Sequence, residues 1–254
     1  MKIIFEIYYH TRWGESLFLS GDIDELGANE ENRAVMMDYQ GDGLWKYTME
    51  LPASAKKFHY EYLVKSGEGI RREWGSPHSF SPGRNAGKYR LVDRWRDVPA
   101  NLPFYSSAFI QGIFFRQHAD SVVETIEQGT FTVKVDAPQL RPDERLVMVG
   151  DCPELGDWDV LKAPLLNDSA FPEWQITLDG RQLKFPFEYK FVIVRTHQRE
   201  VVAWETGENR ICREKPQNPS EAVVVSGLRF NGSESQWSCL LYTSDAIWIT
   251  RFSH

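Results

Sequence analysis

The sequence predicts an all-β fold built as two β-sandwich modules in tandem. Three observations carry this: strand-like alternation of apolar and polar residues, frequent Gly, Pro and Asp breaks, and a set of motifs that occurs twice. Trp45, Tyr47, Met49 and Leu51 alternate with Lys46, Thr48 and Glu50, the two-residue period of a half-buried strand. Phe58, Tyr60, Tyr62 and Val64 alternate in the same way with His59, Glu61, Leu63 and Lys65. Phe185, Phe187, Tyr189, Phe191 and Ile193 form one face of a later strand, opposed by Glu188, Lys190, Val192 and Val194. Phe131-Thr132-Val133-Lys134-Val135 and Ala222-Val223-Val224-Val225 read as the first and last strands of the second unit. No stretch keeps a 3.6-residue period over three turns. Short strands divided by turn clusters point to a sandwich with several hairpins.

The repeat is collinear. Ser20-Gly21-Asp22 followed by Glu25-Leu26-Gly27 recurs, at an offset of 129 residues, as Val149-Gly150-Asp151 followed by Glu154-Leu155-Gly156. The same offset carries Trp45 onto Trp174, and Phe58-His59-Tyr60-Glu61-Tyr62 onto Phe187-Glu188-Tyr189-Lys190-Phe191. Trp74 lands one residue from Trp204. Between the units, Asp97-Val98-Pro99-Ala100-Asn101-Leu102-Pro103 marks a break, because its two prolines cannot join a central strand. The expected organisation is a first module over 1–98, a connector over 99–126 packed against one module, a second module over 127–228, and a tail over 229–254.

A chain of 254 residues is long enough for two ordinary cores, and 42% apolar residues suit a globular protein. A net charge of -7 argues against a nucleic-acid partner, which calls for clustered Lys and Arg. No run approaches the ~20 apolar residues of a membrane helix. Met1-Lys2-Ile3-Ile4-Phe5-Glu6 meets an acid too early for a signal-peptide core, and Cys152, Cys212 and Cys239 lack metal-ligand spacing, so a reduced, cytoplasmic protein is expected. No carboxylate pair is fixed by a motif as glycoside hydrolysis requires, and no Gly-x-Ser-x-Gly elbow, phosphate loop or His-Glu-x-x-His occurs. The stretch is expected to be non-catalytic, without cofactor or metal. The unusual feature is 13% aromatic residues with nine Trp, since each buried indole needs a partner for its N–H. Some of these rings are expected on the surface, against a ligand.

Val149-Gly150, Glu154-Leu155-Gly156-Asp157-Trp158, Trp174, Phe187-Glu188-Tyr189-Lys190-Phe191 and Trp204-Glu205-Thr206-Gly207-Glu208-Asn209-Arg210 together resemble the family 20 carbohydrate-binding modules, starch-binding domains with an immunoglobulin-like antiparallel sandwich. The resemblance covers about 95 residues in each unit, most of the chain. It implies a starch site of two tryptophans and a lysine with an asparagine nearby, which fall on Trp158, Trp204, Lys190 and Asn209, with Glu205 adjoining. Trp74 is the corresponding ring expected in the first module, where Asn29 replaces Trp158 and Glu61 replaces Lys190. The family's second site uses a tyrosine before an early strand. Trp13 holds that position in the first unit, and Arg141-Pro142-Asp143-Glu144 fills it in the second without an aromatic.

Tandem modules of this kind resemble the amino-terminal half of modular 4-α-glucanotransferases, which continue into a family 77 glycoside hydrolase barrel. The implied partners are α-glucan polysaccharides (starch, glycogen, maltooligosaccharides) and a carboxy-terminal catalytic barrel missing from this stretch. Resemblance stops at Ser238, and Cys239-Leu240-Leu241-Tyr242-Thr243-Ser244-Asp245-Ala246 looks like a foreign tail on a truncated fragment. Plainer roles stand beside these. Trp45 and Trp174 are in phase with apolar neighbours and are expected in the cores. Trp158 is either an exposed contact or a plug in its turn, Trp13 either a contact or a sheet-edge cap, and Lys190 either a ligand donor or a solvated strand lysine. The competing classes are an immunoglobulin-like protein-interaction module and a glycogen-binding regulatory domain, because a sandwich fold does not set function.

Overall fold

The computed structural model describes residues 1–83, 87–99, 102–106 and 125–232, and among these the chain is strands and short 3-10 turns with no α-helix. The first half contributes β1 (Lys2–Tyr8), β2 (Ser16–Gly21), β3 (Val35–Met36), β4 (Asp38–Gly41), β5 (Leu44–Glu50), β6 (Phe58–Ser66), β7 (Gly69–Arg72), β8 (His78–Phe80) and β9 (Lys88–Arg94). The second half contributes β10 (Thr130–Asp136), β11 (Glu144–Gly150), β12 (Asn167–Ala170), β13 (Glu173–Asp179), β14 (Phe187–Arg195), β15 (Val201–Trp204), β16 (Arg210–Cys212) and β17 (Ala222–Arg229). Each half is a sandwich. β2, β3, β6, β7 and β8 form one small sheet, and β11, β14, β15 and β16 form another.

The two larger sheets are one. Eight strands run in the order β12-β13-β10-β17-β9-β1-β5-β4, joined at the middle by a parallel pair between β17 and β9, with Val224 opposite Leu91 and Ser226 opposite Asp93. Successive residues of a strand point to opposite faces. Tyr89, Leu91, Ala222 and Val224 enter the first module's core, while Val92, Val223, Val225 and Leu228 enter the second's. The two small sheets therefore cover opposite faces of the shared sheet. This is why Ala222 to Val225 are apolar without alternation: a strand covered on both faces has no wet side.

Polar side chains complete the seam. The Asp93 carboxylate, fully buried, accepts from Tyr60 Oη at 2.9 Å, Tyr62 Oη at 2.6 Å and the Ser226 hydroxyl of β17. On the other face Arg90 donates to the carbonyl oxygens of Glu214 and Lys215 at 3.1 and 2.6 Å, and Arg94 pairs with Glu214 at 2.9 Å. The described end of the connector packs on the first module: Ile126 is buried in that core, and its N–H and C=O bond Ser81 and Gly83 at 2.8 and 2.9 Å. Of the expected connector over 99–126, residues 100–101 and 107–124 lie outside the described residues, as does the tail beyond residue 232.

Each core holds the tryptophan expected of it. Trp45 Nε1 donates to Tyr9 O at 3.0 Å, and Trp174 Nε1 to Ala137 O at 3.1 Å.

Candidate functional site

Trp158 sits at the end of a turn that the two modules build identically. Gly156, Asp157 and Trp158 have φ of 82, 49 and 64°, and Gly27, Ala28 and Asn29 have 86, 52 and 63°. The N–H of Trp158 bonds Gly150 O, and that of Asn29 bonds Gly21 O, both at 2.7 Å. Asp151 and Asp22 anchor the turns by accepting from the N–H of Glu188 and His59 at 3.0 and 2.8 Å. Asparagine is at ease in the left-handed region; a bulky indole-bearing residue is not, at a cost of roughly 1–2 kcal/mol. The second module holds a ring there against that cost.

The ring lies on the outer face of the small sheet. Val147, Val149, Val192, Val194 and Ala163 form a satellite apolar cluster, and Trp158 and Val160 pack on it half-buried. Trp204 is directly paired with Val192 across β14 and β15, so it projects from the same face, 44% exposed. Lys190 pairs with Val149 and shares that face too. Its ammonium donates to Glu205 O at 3.1 Å and Gly207 O at 2.5 Å, two of its three donors. Exposed Asn209 donates its amide to Glu188 at 2.8 Å. Trp158, Trp204, Lys190 and Asn209 thus come together around one surface.

Glu205 does not join them, which corrects the expectation that it contacts a ligand. It is 4% exposed, bonded to Arg210 Nε and Nη2, and it accepts the backbone N–H of Phe191 at 3.3 Å and of Asn231 at 3.2 Å. The carboxylate is an internal anchor: a buried charge is tolerated only when paired and hydrogen-bonded.

Trp74 needs a second correction. Leu63 pairs with Arg72 where Val192 pairs with Trp204, so Arg72 is the counterpart of Trp204. The β14–β15 hairpin is three residues longer than the β6–β7 hairpin, and the repeat offset changes there. Glu73 is then the counterpart of Glu205, and it accepts from the N–H of Tyr62 at 3.2 Å and Arg96 Nε at 3.0 Å. His78, at the position of Arg210, holds the same carboxylate at 3.1 Å. Trp74 matches Thr206 and packs at the seam, edge-on to Tyr105 at 4.9 Å with Arg229 over its ring at 5.4 Å. The equivalent surface of the first module is charged, with Arg72 bridging Glu61 and Glu31.

Comparison with known proteins identifies the family. The profile of the starch binding domain family matches residues 1–85 and 128–223. The chain belongs to that family. As starch-binding modules, the matched segments bind glucan and carry no catalytic role. The chain is 26% identical over 252 residues to the 4-alpha-glucanotransferase DPE2 of Oryza sativa subsp. japonica, across 89% of this chain and 26% of that protein. It is 32% identical over 73 residues to an AA13 family lytic polysaccharide monooxygenase A of Aspergillus terreus, across 27% of this chain and 18% of that one. Among solved structures, the family 20 module of a maltotetraose-forming amylase from Pseudomonas saccharophila aligns with 38% of this chain and 99% of its own, at 19% identity and TM-score 0.31. The chain spans about a quarter of the length of the glucanotransferase it matches.

Two further surface aromatics stand out in this starch-binding chain. Trp13 is fully exposed, in the turn between β1 and β2. Tyr39, which the sequence pattern did not single out, is 56% exposed on edge strand β4, with its ring 5.1 Å from that of Trp45. Its hydroxyl accepts from Gly43 N–H at 3.2 Å, and Gly43 O accepts from Tyr9 N–H at 2.7 Å. The hairpin carrying Tyr39 therefore adjoins the segment that leads to Trp13. The signal for Tyr39 was its place in a short strand two residues before the turn into β5, in phase with Trp45.

Proposed function

We propose that the outer face of β11, β14 and β15 binds an α-1,4-glucan chain between Trp158 and Trp204, with Lys190 and Asn209 bonding the sugar hydroxyls. One observation carries the reading: Trp204 pairs with Val192, and Trp158 packs on the cluster containing Val192, so both indoles belong to one surface. Axial C–H groups on the glucose faces pack against indoles through dispersion and loss of apolar hydration. The strained backbone of Trp158 is consistent with a side chain kept for contact, since such strain gathers at functional positions. A few stacked sugars give on the order of -4 to -7 kcal/mol, a millimolar to ten-micromolar site. A second, separate contact on the first module is formed by Trp13 with Tyr39, favoured by their exposure at neighbouring turns.

The similarity to a 4-alpha-glucanotransferase supports a targeting role, in which the modules keep an attached glucanotransferase on the polysaccharide by raising its effective concentration there. Electrophoresis in gels with and without soluble starch tests the binding reading. The wild-type chain is expected to be retarded by starch, and Trp158→Ala with Trp204→Ala to lose the retardation while its thermal transition persists, because the core tryptophans are Trp45 and Trp174. Unchanged migration of the wild type in starch would remove the proposal.

A further inference from the structure

We propose that Arg199 is a positioning residue for glucan recognition: its guanidinium clamps the Trp158 loop to the hairpin that carries Trp204 and so fixes the separation of the two rings. The inference rests on the glucan site proposed above. Arg199 lies in the turn between β14 and β15 with φ 50°, its own N–H bonded to Arg195 O at 2.9 Å. From there Nη1 donates to three carbonyl oxygens of the loop after Trp158: Val160 at 3.3 Å, Leu161 at 3.0 Å and Ala163 at 2.7 Å. Val160 and Ala163 pack in the same apolar cluster as Trp158 and Val192. The loop bearing one indole is thereby held to the hairpin that leads, a few residues later, into the other.

The chemistry favours arginine. All three contacts come from Nη1, which a planar, permanently charged guanidinium holds rigidly and one bond farther from the backbone than a lysine ammonium on its flexible stem. Among the described residues the first module has no equivalent: its hairpin is three residues shorter, and its loop is tied instead by Lys65 of β6, which donates to Glu31 O. There Asn29 and Arg72 stand in place of the two rings, so no ring separation exists to be set. The clamp is found in the module that has both indoles.

A fixed ring separation is a device for reading the curvature of a glucan. A ligand long enough to cover both rings depends on it, and one resting on a single ring does not. Titration calorimetry of Arg199→Ala with β-cyclodextrin and with maltose tests this. The expected result is a fall of about tenfold in β-cyclodextrin affinity with maltose affinity within twofold of wild type. Arg199→Lys is expected to follow the alanine variant, since the lysine Nζ ends one bond short of the Nη1 position from which all three carbonyls are reached, and it carries the test should the alanine variant unfold. Equal weakening toward both sugars would overturn the positioning role, as would wild-type β-cyclodextrin affinity in a folded Arg199 variant when Trp204→Ala abolishes it. Wild-type protein that binds neither sugar would overturn the glucan reading itself and this inference with it.

Discussion

Asn29 and Trp158 occupy the same left-handed position, reached through the same hydrogen bonds, yet one module presents a short amide there and the other an indole. The surfaces around them have diverged just as far. Arg72 bridges Glu61 and Glu31 in the first module, where Trp204 and Lys190 flank an apolar cluster in the second. Beneath these surfaces the modules agree: a tryptophan bonded through its indole N–H in each core, an aspartate anchoring each turn, and a buried glutamate on the N–H of Tyr62 or Phe191. The interior positions satisfy buried polar groups and cannot vary singly without loss. The outer positions lie on the solvent side of the small sheets and outside both main cores, so recognition can be gained in one copy and withdrawn in the other with the frame unchanged.

The largest expected effect tests the shared frame. Glu205→Gln leaves buried Arg210 without its counter-charge, and removing one partner of such a pair costs about 3–5 kcal/mol. A urea titration should show that loss. Glu73→Gln should do likewise in the first module, with a pH signature. Burial acts to raise the Glu73 carboxyl, but His78 and Arg96 outweigh it and hold the group at about 2, below its ordinary 4.5. Its stabilising contribution is therefore complete above pH 4.5 and fades as the pH falls through about 2. The stability gap between wild type and Glu73→Gln should close over that window. A gap constant with pH would show that His78 and Arg96 do not hold the Glu73 carboxylate ionised.

The next effect sharpens the contrast between surfaces. Trp204→Ala should weaken β-cyclodextrin binding by more than tenfold, at least ~1.4 kcal/mol, and its structural counterpart Arg72→Ala should leave it within twofold. Calorimetric titration of both variants decides the matter. A comparable loss from Arg72→Ala would mean that the charged face also receives sugar.

Much of this frame was readable from the residues themselves. A constant offset aligned Trp45 with Trp174 and Asn29 with Trp158, because both pairs precede the hairpin in which the copies differ in length. Beyond it the same offset put Trp74 next to Trp204, whereas Arg72-Glu73-Trp74-Gly75 matches Trp204-Glu205-Thr206-Gly207, with both glycines at positive φ of 101 and 84°. The shared Glu and Gly carried the correct register, but the more conspicuous indole masked it. The role of Glu205 was hidden for a related reason: its burial depends on Arg210 and Asn231 folding over it, which no local pattern encodes. The pairing of β9 with β17 joins segments far apart in the chain. The run from Ala222 to Val225 reads as a last strand of the second unit, and its lack of alternation does not say which distant strand it pairs with.

That seam sets the scale of the third effect. Ser226→Ala removes one of three hydroxyl donors to buried Asp93 and should cost roughly 1–2 kcal/mol. Because Ala222 and Val224 fill the first core and Val92 the second, the chain is expected to unfold in one transition that shifts as a whole. Calorimetry resolving two transitions, with only one moved by Ser226→Ala, would show that the modules melt separately despite the common sheet.

Trp13 gives the smallest expected effect and probes the comparison from the first module's side. Its ring is fully exposed, so Trp13→Ala should leave stability within about 0.5 kcal/mol. β1, β9, β17 and β10 run parallel, so the loop after β1 that carries Trp13 lies at the end of the shared sheet where β10 finishes. The two small sheets cover opposite faces of the shared sheet, so a maltoheptaose is expected to rest on one contact at a time, but a long amylose chain can engage both, and linked sites raise its apparent affinity. Trp13→Ala is therefore expected to lower retention on amylose about two- to fivefold while maltoheptaose affinity at the second module stays unchanged. Equal weakening toward the two ligands would place Trp13 in the same contact as Trp158 and Trp204 and erase the division between the modules.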